Sequence, residues 1–201
     1  MRQAKVLTET ETNRVCAVID ANKHAARNRM ALMLSFYAGL RVGEIAALKY
    51  GDVFDGDGNA REQIQLKAAY TKGNSARTVF VGKRLTKELK SFNNSLSSQP
   101  SPSAPLLLTQ KRTAFSANTL CQLFGQLYRK AGVDGASSHS GRRGFITKLA
   151  HSGVSAKVPC HQQRTEGRLC HRALSLPSVA QNTAPLCIAV LCSFALCWFQ
   201  L

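Results

Sequence analysis

Four side chains have the type and spacing for chemistry on a phosphate: Arg41, Lys72, His139 and Arg142. In HSGRRGFITKLAHSG, residues 139–153, a histidine stands three positions before an arginine. The two share a face once the helix includes both. Two arginines offer planar forks that grip a phosphate bidentately, with a charge that does not depend on pH. A lysine and a histidine can each move a proton or donate a hydrogen bond. Arg41 follows the glycine turn of AGLRVGE and opens a short helix, a position where unsatisfied N–H groups favour anions. Taken singly, each residue also fits a solvated surface charge or a helix cap. Their order and context carry the weight.

The elements that must position them follow from pattern. Thr8 and Glu11 form a capping box, and Val15, Val18 and Ile19 continue at helical spacing, which predicts a helix to about Asp20. A second helix runs from near His24 to Tyr37 and ends at Gly39, where a left-handed residue costs little. RVGEIAALK restarts as a short helix with Val42, Ile45 and Leu48 on or near one face, and Glu44 one turn from Arg41 can orient its guanidinium. Residues 51–60 read as turns. Ile64 and Leu66 alternate with polar residues, TKGNS supplies a turn and RTVFV follows, a hairpin whose tip or shoulder carries Lys72. Leu85, Leu89, Phe92 and Leu96 mark an amphipathic helix, and Leu120, Leu123, Phe124 and Leu127 another over about 117–131, stopped by Gly132. SSQPSPSAP at 97–105 is a linker or exposed loop, with elements too short on either side for a domain boundary. The fold class is α+β, mainly helical, with a small antiparallel sheet.

Charge narrows the partner. Twenty-seven Lys and Arg against 11 Asp and Glu leave +16 over 201 residues, a field that draws in polyanions and suits nucleic acid better than a neutral metabolite. No secretory signal opens the chain, so a reducing cytoplasm with free thiols is the default for its seven cysteines. DGDGNA at 55–60 begins like a calcium loop, but Ala60 takes the glycine position and Leu66 the glutamate position. The Cys-His pairs at 160–161 and 170–171 have no zinc spacing.

AGLRVGEIAALKYGDV, YTKGNSARTVFV and SSHSGRRGFITKLAHSGV, in that order, resemble the catalytic domain of tyrosine recombinases, the phage-integrase family, over roughly residues 8–158. The resemblance implies a double-stranded DNA substrate, other recombinase subunits as partners in a synaptic complex, and no metal or cofactor. It implies that a tyrosine attacks the scissile phosphate, giving a 3′-phosphotyrosine and a free 5′-hydroxyl. Arg41 and Arg142 would stabilise charge on the phosphoryl oxygens, Lys72 would be the acid for the leaving hydroxyl, and His139 would assist in proton transfer or phosphate binding. Integration, excision or inversion of DNA is the implied activity, and a non-catalytic DNA-binding remnant is the alternative.

Several departures bear on that alternative. The four tyrosines are Tyr37, Tyr50, Tyr70 and Tyr128, none beyond Arg142. LCHRALSLPS around His171 only faintly echoes the family's second-histidine segment and sits later than its spacing, so His171 is no site residue. The chain is expected to start directly with the catalytic domain, without the DNA-clamping domain of larger members, a domain that some short members of the family also lack. From Pro159 to Leu201 there is no Lys, Asp or Tyr, and five of the seven cysteines fall there. Pro159 stops the helical continuation expected toward the nucleophile. The final LCIAVLCSFALCWFQL is apolar yet short of the ~20 residues a membrane span needs, and no membrane partner is expected. Residues 1–158 are therefore read as the domain, and 159–201 as a non-matching tail from a reading frame that changes near codon 158.

Overall fold

The computed structural model of the chain describes residues 4–71 and 75–151. The element order is α1 (Glu9–Asp20), α2 (Ala25–Tyr37), α3 (Val42–Ala47), α4 (Tyr50–Val53), β1 (Gln63–Leu66), β2 (Arg77–Phe80), α5 (Lys83–Asn94), α6 (Ala117–Lys130) and α7 (Ser140–His151). The α+β, mainly helical class holds.

The capping box of α1 is complete. Thr8 Oγ1 accepts from Glu11 N at 3.2 Å, and Glu11 Oε2 accepts from Thr8 N at 3.0 Å. Lys5 Nζ donates to Glu11 Oε1 at 2.6 Å, which draws the preceding strap onto the helix. The same strap crosses the segment before α7: Lys5 N donates to Gly135 O at 3.2 Å and Arg143 Nη1 to Ala4 O at 3.0 Å.

Helix α2 is the axle of the domain. Met30 to Ser35 are buried without interruption, because α1, α5 and α7 cover different sides of it. A helix apolar all round belongs inside. It begins at Ala25, directly after His24, which takes a left-handed φ of 63°. On α5, Leu85, Leu89 and Phe92 face α2; α6 buries Leu120, Phe124 and Leu127 and stops at Gly132 with φ +62°.

The sheet has two antiparallel strands, with Ile64 opposite Val79 and Leu66 opposite Arg77. The connection is longer than a tight turn: a 3₁₀ turn covers Ala68–Tyr70, and Thr71 Oγ1 then closes the neck on Ser75 N at 3.0 Å.

Two segments read as turn and loop are more ordered than that. Tyr50–Val53 is a single helical turn rather than loop. The 97–105 stretch does not hang free, because Tyr50 N donates to Ala104 O at 2.9 Å, Gly51 N to Pro102 O at 3.0 Å and Leu106 N to Leu48 O at 2.9 Å. Proline and serine composition reads as linker, but these backbone pairings are tertiary. DGDGNA is a self-satisfied turn in which Asp55 Oδ1 accepts from Asp57 N at 3.0 Å and Asn59 N at 2.7 Å. Cys16 and Cys121 carry free thiols. Among the described residues no helix is long and apolar enough to cross a membrane, and no group of three metal-ligating side chains occurs. Pro159, His171, the boundary near 158 and the apolar tail lie outside the described residues.

Candidate functional site

Arg41 owes its position to the break between α2 and α3. Gly39 turns the chain with φ +61°, a conformation that disfavours a side chain, and a Cβ there would also run into the Phe145 ring of α7. Arg41 is then the extended N-cap residue of α3. Glu44, three residues on, reaches back: its Oε2 accepts from Arg41 N at 2.8 Å and its Oε1 from Arg41 Nη1 at 3.0 Å. The N–H of Arg41 is already taken by the Glu44 carboxylate, so the part of Arg41 that can meet an anion is its side chain.

Glu44 is 1% exposed, and a buried carboxylate needs compensation. It comes from a residue that sequence pattern did not single out. Arg77, the first residue of β2, donates from Nη2 to Glu44 Oε2 at 2.6 Å. One carboxylate thus holds two guanidinium groups, with Arg77 20% and Arg41 43% exposed. Among the described residues, Nε and Nη2 of Arg41 make no hydrogen bond. The signal for Arg77 was faint: a cation opening a strand just after the Lys72 loop.

Arg142 arrives through the packing of α7 on α2. Gly141 lies against Ser35 and Phe36, and a Cβ there would approach the Phe36 ring to 2.7 Å. That glycine lets the helices close, and Arg142 Nη1 then donates to Gly39 O, the carbonyl two residues before Arg41. The glycine inside HSGRRG thus serves the approach of its neighbour. His139 is exposed directly before α7, and its carbonyl accepts from Arg143 N at 2.9 Å as the helix begins. The turn is built by its serines: Ser137 N donates to Ser140 Oγ at 2.9 Å and His139 N to Ser137 Oγ at 3.3 Å. Lys72 lies outside the described residues; the loop that carries it is anchored on either side by Thr71 and by Arg77.

None of the tyrosines sits where it could follow Arg142. Tyr50 is buried and donates to Asn93 Oδ1 at 2.7 Å, and burial pushes the Tyr128 phenol well above its ordinary value. Tyr37 is half-buried beneath the Arg84 guanidinium at 4.9 Å. Tyr70 is in the 3₁₀ turn, with Lys67 Nζ 5.9 Å from its ring.

The arrangement, an arginine at the α2–α3 break and another crossing from a His-x-x-Arg helix, can be compared with known proteins. The model of the phage integrase family matches residues 5–159. This chain belongs to that family. Tyrosine recombinase XerA of Thermococcus kodakarensis is 32% identical over 157 residues, which are 77% of this chain and 51% of the relative. The crystal structure of XerA recombinase superposes with a TM-score of 0.60 at 23% identity, covering 76% of this chain and 51% of that one. The Tn1549 transposon integrase in complex with a circular intermediate DNA gives 0.59 at 17% identity, covering 78% and 56%. The phage-integrase chain described here is therefore a tyrosine recombinase catalytic domain by family and by fold, and it spans about half the length of the curated relatives it matches.

Proposed function

We propose that residues 1–158 bind double-stranded DNA and grip one backbone phosphate with Arg41, Lys72, His139 and Arg142, the phosphate-holding part of a site-specific recombinase. The observation that carries the reading is the Arg142 bond to Gly39 O, which brings a second guanidinium to the connector that presents Arg41. Phosphoryl transfer depends mainly on positioning and fixed positive charge. On this reading the guanidinium forks of Arg41 and Arg142 supply the fixed charge, and Lys72 and His139 supply groups that can move a proton. DNA as the partner is supported by the Tn1549 integrase, whose structure holds DNA, and by a net +14 on residues 1–158, with 24 Lys and Arg against 10 Asp and Glu. Assembly with further recombinase subunits and a setting in the cytoplasm belong to the same reading.

Binding should weaken steeply with salt, because each neutralised phosphate releases counterions. A titration of short duplex DNA over a salt series tests this; affinity independent of salt, or no binding at low salt, overturns it.

One observation favours a non-cleaving role: no tyrosine follows Arg142 in these residues. On that reading the chain holds DNA without cutting it. A nicked suicide substrate separates the two, since only tyrosine attack traps a covalent protein–DNA adduct. Residues 159–201 are outside this function, a reading supported by the family match ending at 159. Removing them should raise solubility and leave DNA binding intact, and the other two frames of the coding DNA after codon 158 should yield a segment with His and Tyr. Loss of binding on truncation, or no such segment, would make the tail part of the domain.

A further inference from the structure

Glu44 is fully buried and receives three hydrogen bonds from two arginines, Oε2 accepting from Arg41 N and Arg77 Nη2 and Oε1 from Arg41 Nη1. With Arg41 as its sole partner, the pair would be neutral. Both carboxylate oxygens would then compete for the Arg41 fork, because a guanidinium prefers to meet a carboxylate with two parallel N–H bonds. Arg77 changes that balance. Its Nη2 lies 2.6 Å from Oε2, closer than Arg41 Nη1 lies to Oε1 at 3.0 Å, so the oxygen that would complete a fork with Arg41 is already taken. The three groups together carry one net positive charge, and the exposed member is Arg41. Arg77 is the more buried cation, and its Nε is buried without a hydrogen-bond partner. Among the described residues its guanidinium is committed to Glu44 alone.

We propose that Arg77 is a positioning residue for Arg41: by offsetting the Glu44 carboxylate, it keeps the charge and the outer N–H groups of Arg41 available to a DNA phosphate. This rests on the reading of Arg41 as a phosphate ligand. A merely structural role for Arg77, anchoring β2 and the Lys72 loop to α3, makes a different prediction. Removing an anchor loosens the hairpin whatever the charge of residue 44, whereas removing a charge offset is cured by removing the charge it offset.

The experiment uses the full chain and a short fluorescent duplex DNA. Anisotropy titrations over a salt series give the slope of log affinity against log salt, which changes by about 0.9 per phosphate contact. Arg41→Ala should lower the slope by about that amount. Arg77→Met should lower it equally with Arg41 still present. The double variant Arg77→Met/Glu44→Gln should return it to the wild-type value, and Arg77→Lys, which keeps the charge but not the fork, should hold it there. Circular dichroism melting fixes a temperature at which every variant is folded; if Arg77→Met does not fold, Arg77→Lys and Glu44→Gln carry the test, both expected at or above the wild-type slope. An Arg77→Met slope equal to wild type, a double variant as low as Arg77→Met, or a lowered Arg77→Lys slope overturns the proposal. An unchanged slope in Arg41→Ala instead overturns the reading of Arg41 itself, and this inference with it.

Discussion

On one side of α2, Arg29 faces two carboxylates; at the α3–β2 contact, Glu44 faces two arginines. In the first cluster Arg29 Nε and Nη2 donate to Glu88 at 2.8 and 3.0 Å, and Nη1 lies 3.1 Å from Asp20. That fork is filled from all sides, and its job is to tie α2 to α5 and to the end of α1. In the second cluster the carboxylate is filled, and the exposed guanidinium keeps donors to spare. The same two residue types make a structural clamp when acid is in excess and a candidate anion site when base is. Counting arginines would not tell them apart; counting what each one is already bonded to does.

The largest effect is expected at Glu44. Glu44→Ala leaves Arg77 without its partner and should cost about 3 kcal/mol, the range for breaking a buried pair. Denaturant unfolding measures it, and a cost no larger than that of a surface pair would erase the contrast between the clusters.

Next comes the approach of α7. Gly141→Ala puts a Cβ against Ser35 and Phe36 and should cost about 2 kcal/mol as overpacking. It should also weaken DNA binding, because Arg142 is carried by the same turn of helix. Full-strength binding in a destabilised Gly141→Ala protein would separate that packing from the site.

A smaller loss is expected at the clamp. Glu88→Gln keeps the shape and removes the charge, at about 1 kcal/mol for hydrogen bonds weakened at a partly exposed site. The salt slope of DNA binding should stay at its wild-type value. A changed slope would mean that the α2–α5 cluster also meets DNA.

The smallest effect is one of pH. Hydrogen bonds from Lys5 and from the Thr8 backbone bring the Glu11 carboxyl from 4.5 down to about 2, and hydrogen bonds from Arg29 lower that of Glu88. A carboxyl lowered in the folded state adds stability that is present above its unfolded value and lost as pH falls through the folded one. The wild type should therefore lose stability between about pH 4.5 and 2 more steeply than Glu11→Gln. Parallel unfolding curves of the two proteins over that window would remove Glu11 as a contributor.

Local chemistry was legible in the sequence because its partners are three or four residues apart. The capping box at Thr8 and Glu11, the Glu44 reach to Arg41, the glycine ends of α2 and α6 and the apolar stripes of α5 and α6 all fall within a turn or two of the chain. Arg41, Lys72, His139 and Arg142 were singled out as a set by their motifs, which propose the members of a site but not what holds them there. Tertiary structure alone decided the rest. Arg77 pairs with a carboxylate 33 positions away, Arg142 with a carbonyl 103 positions away, and the 97–105 strap with α4. No periodicity encodes such distances, because they arise only when α7 closes on α2 over Gly141 and the hairpin folds against α3. A side chain's charge is written in the sequence; whether that charge is spent inside the fold or offered to solvent depends on the neighbours folding brings to it.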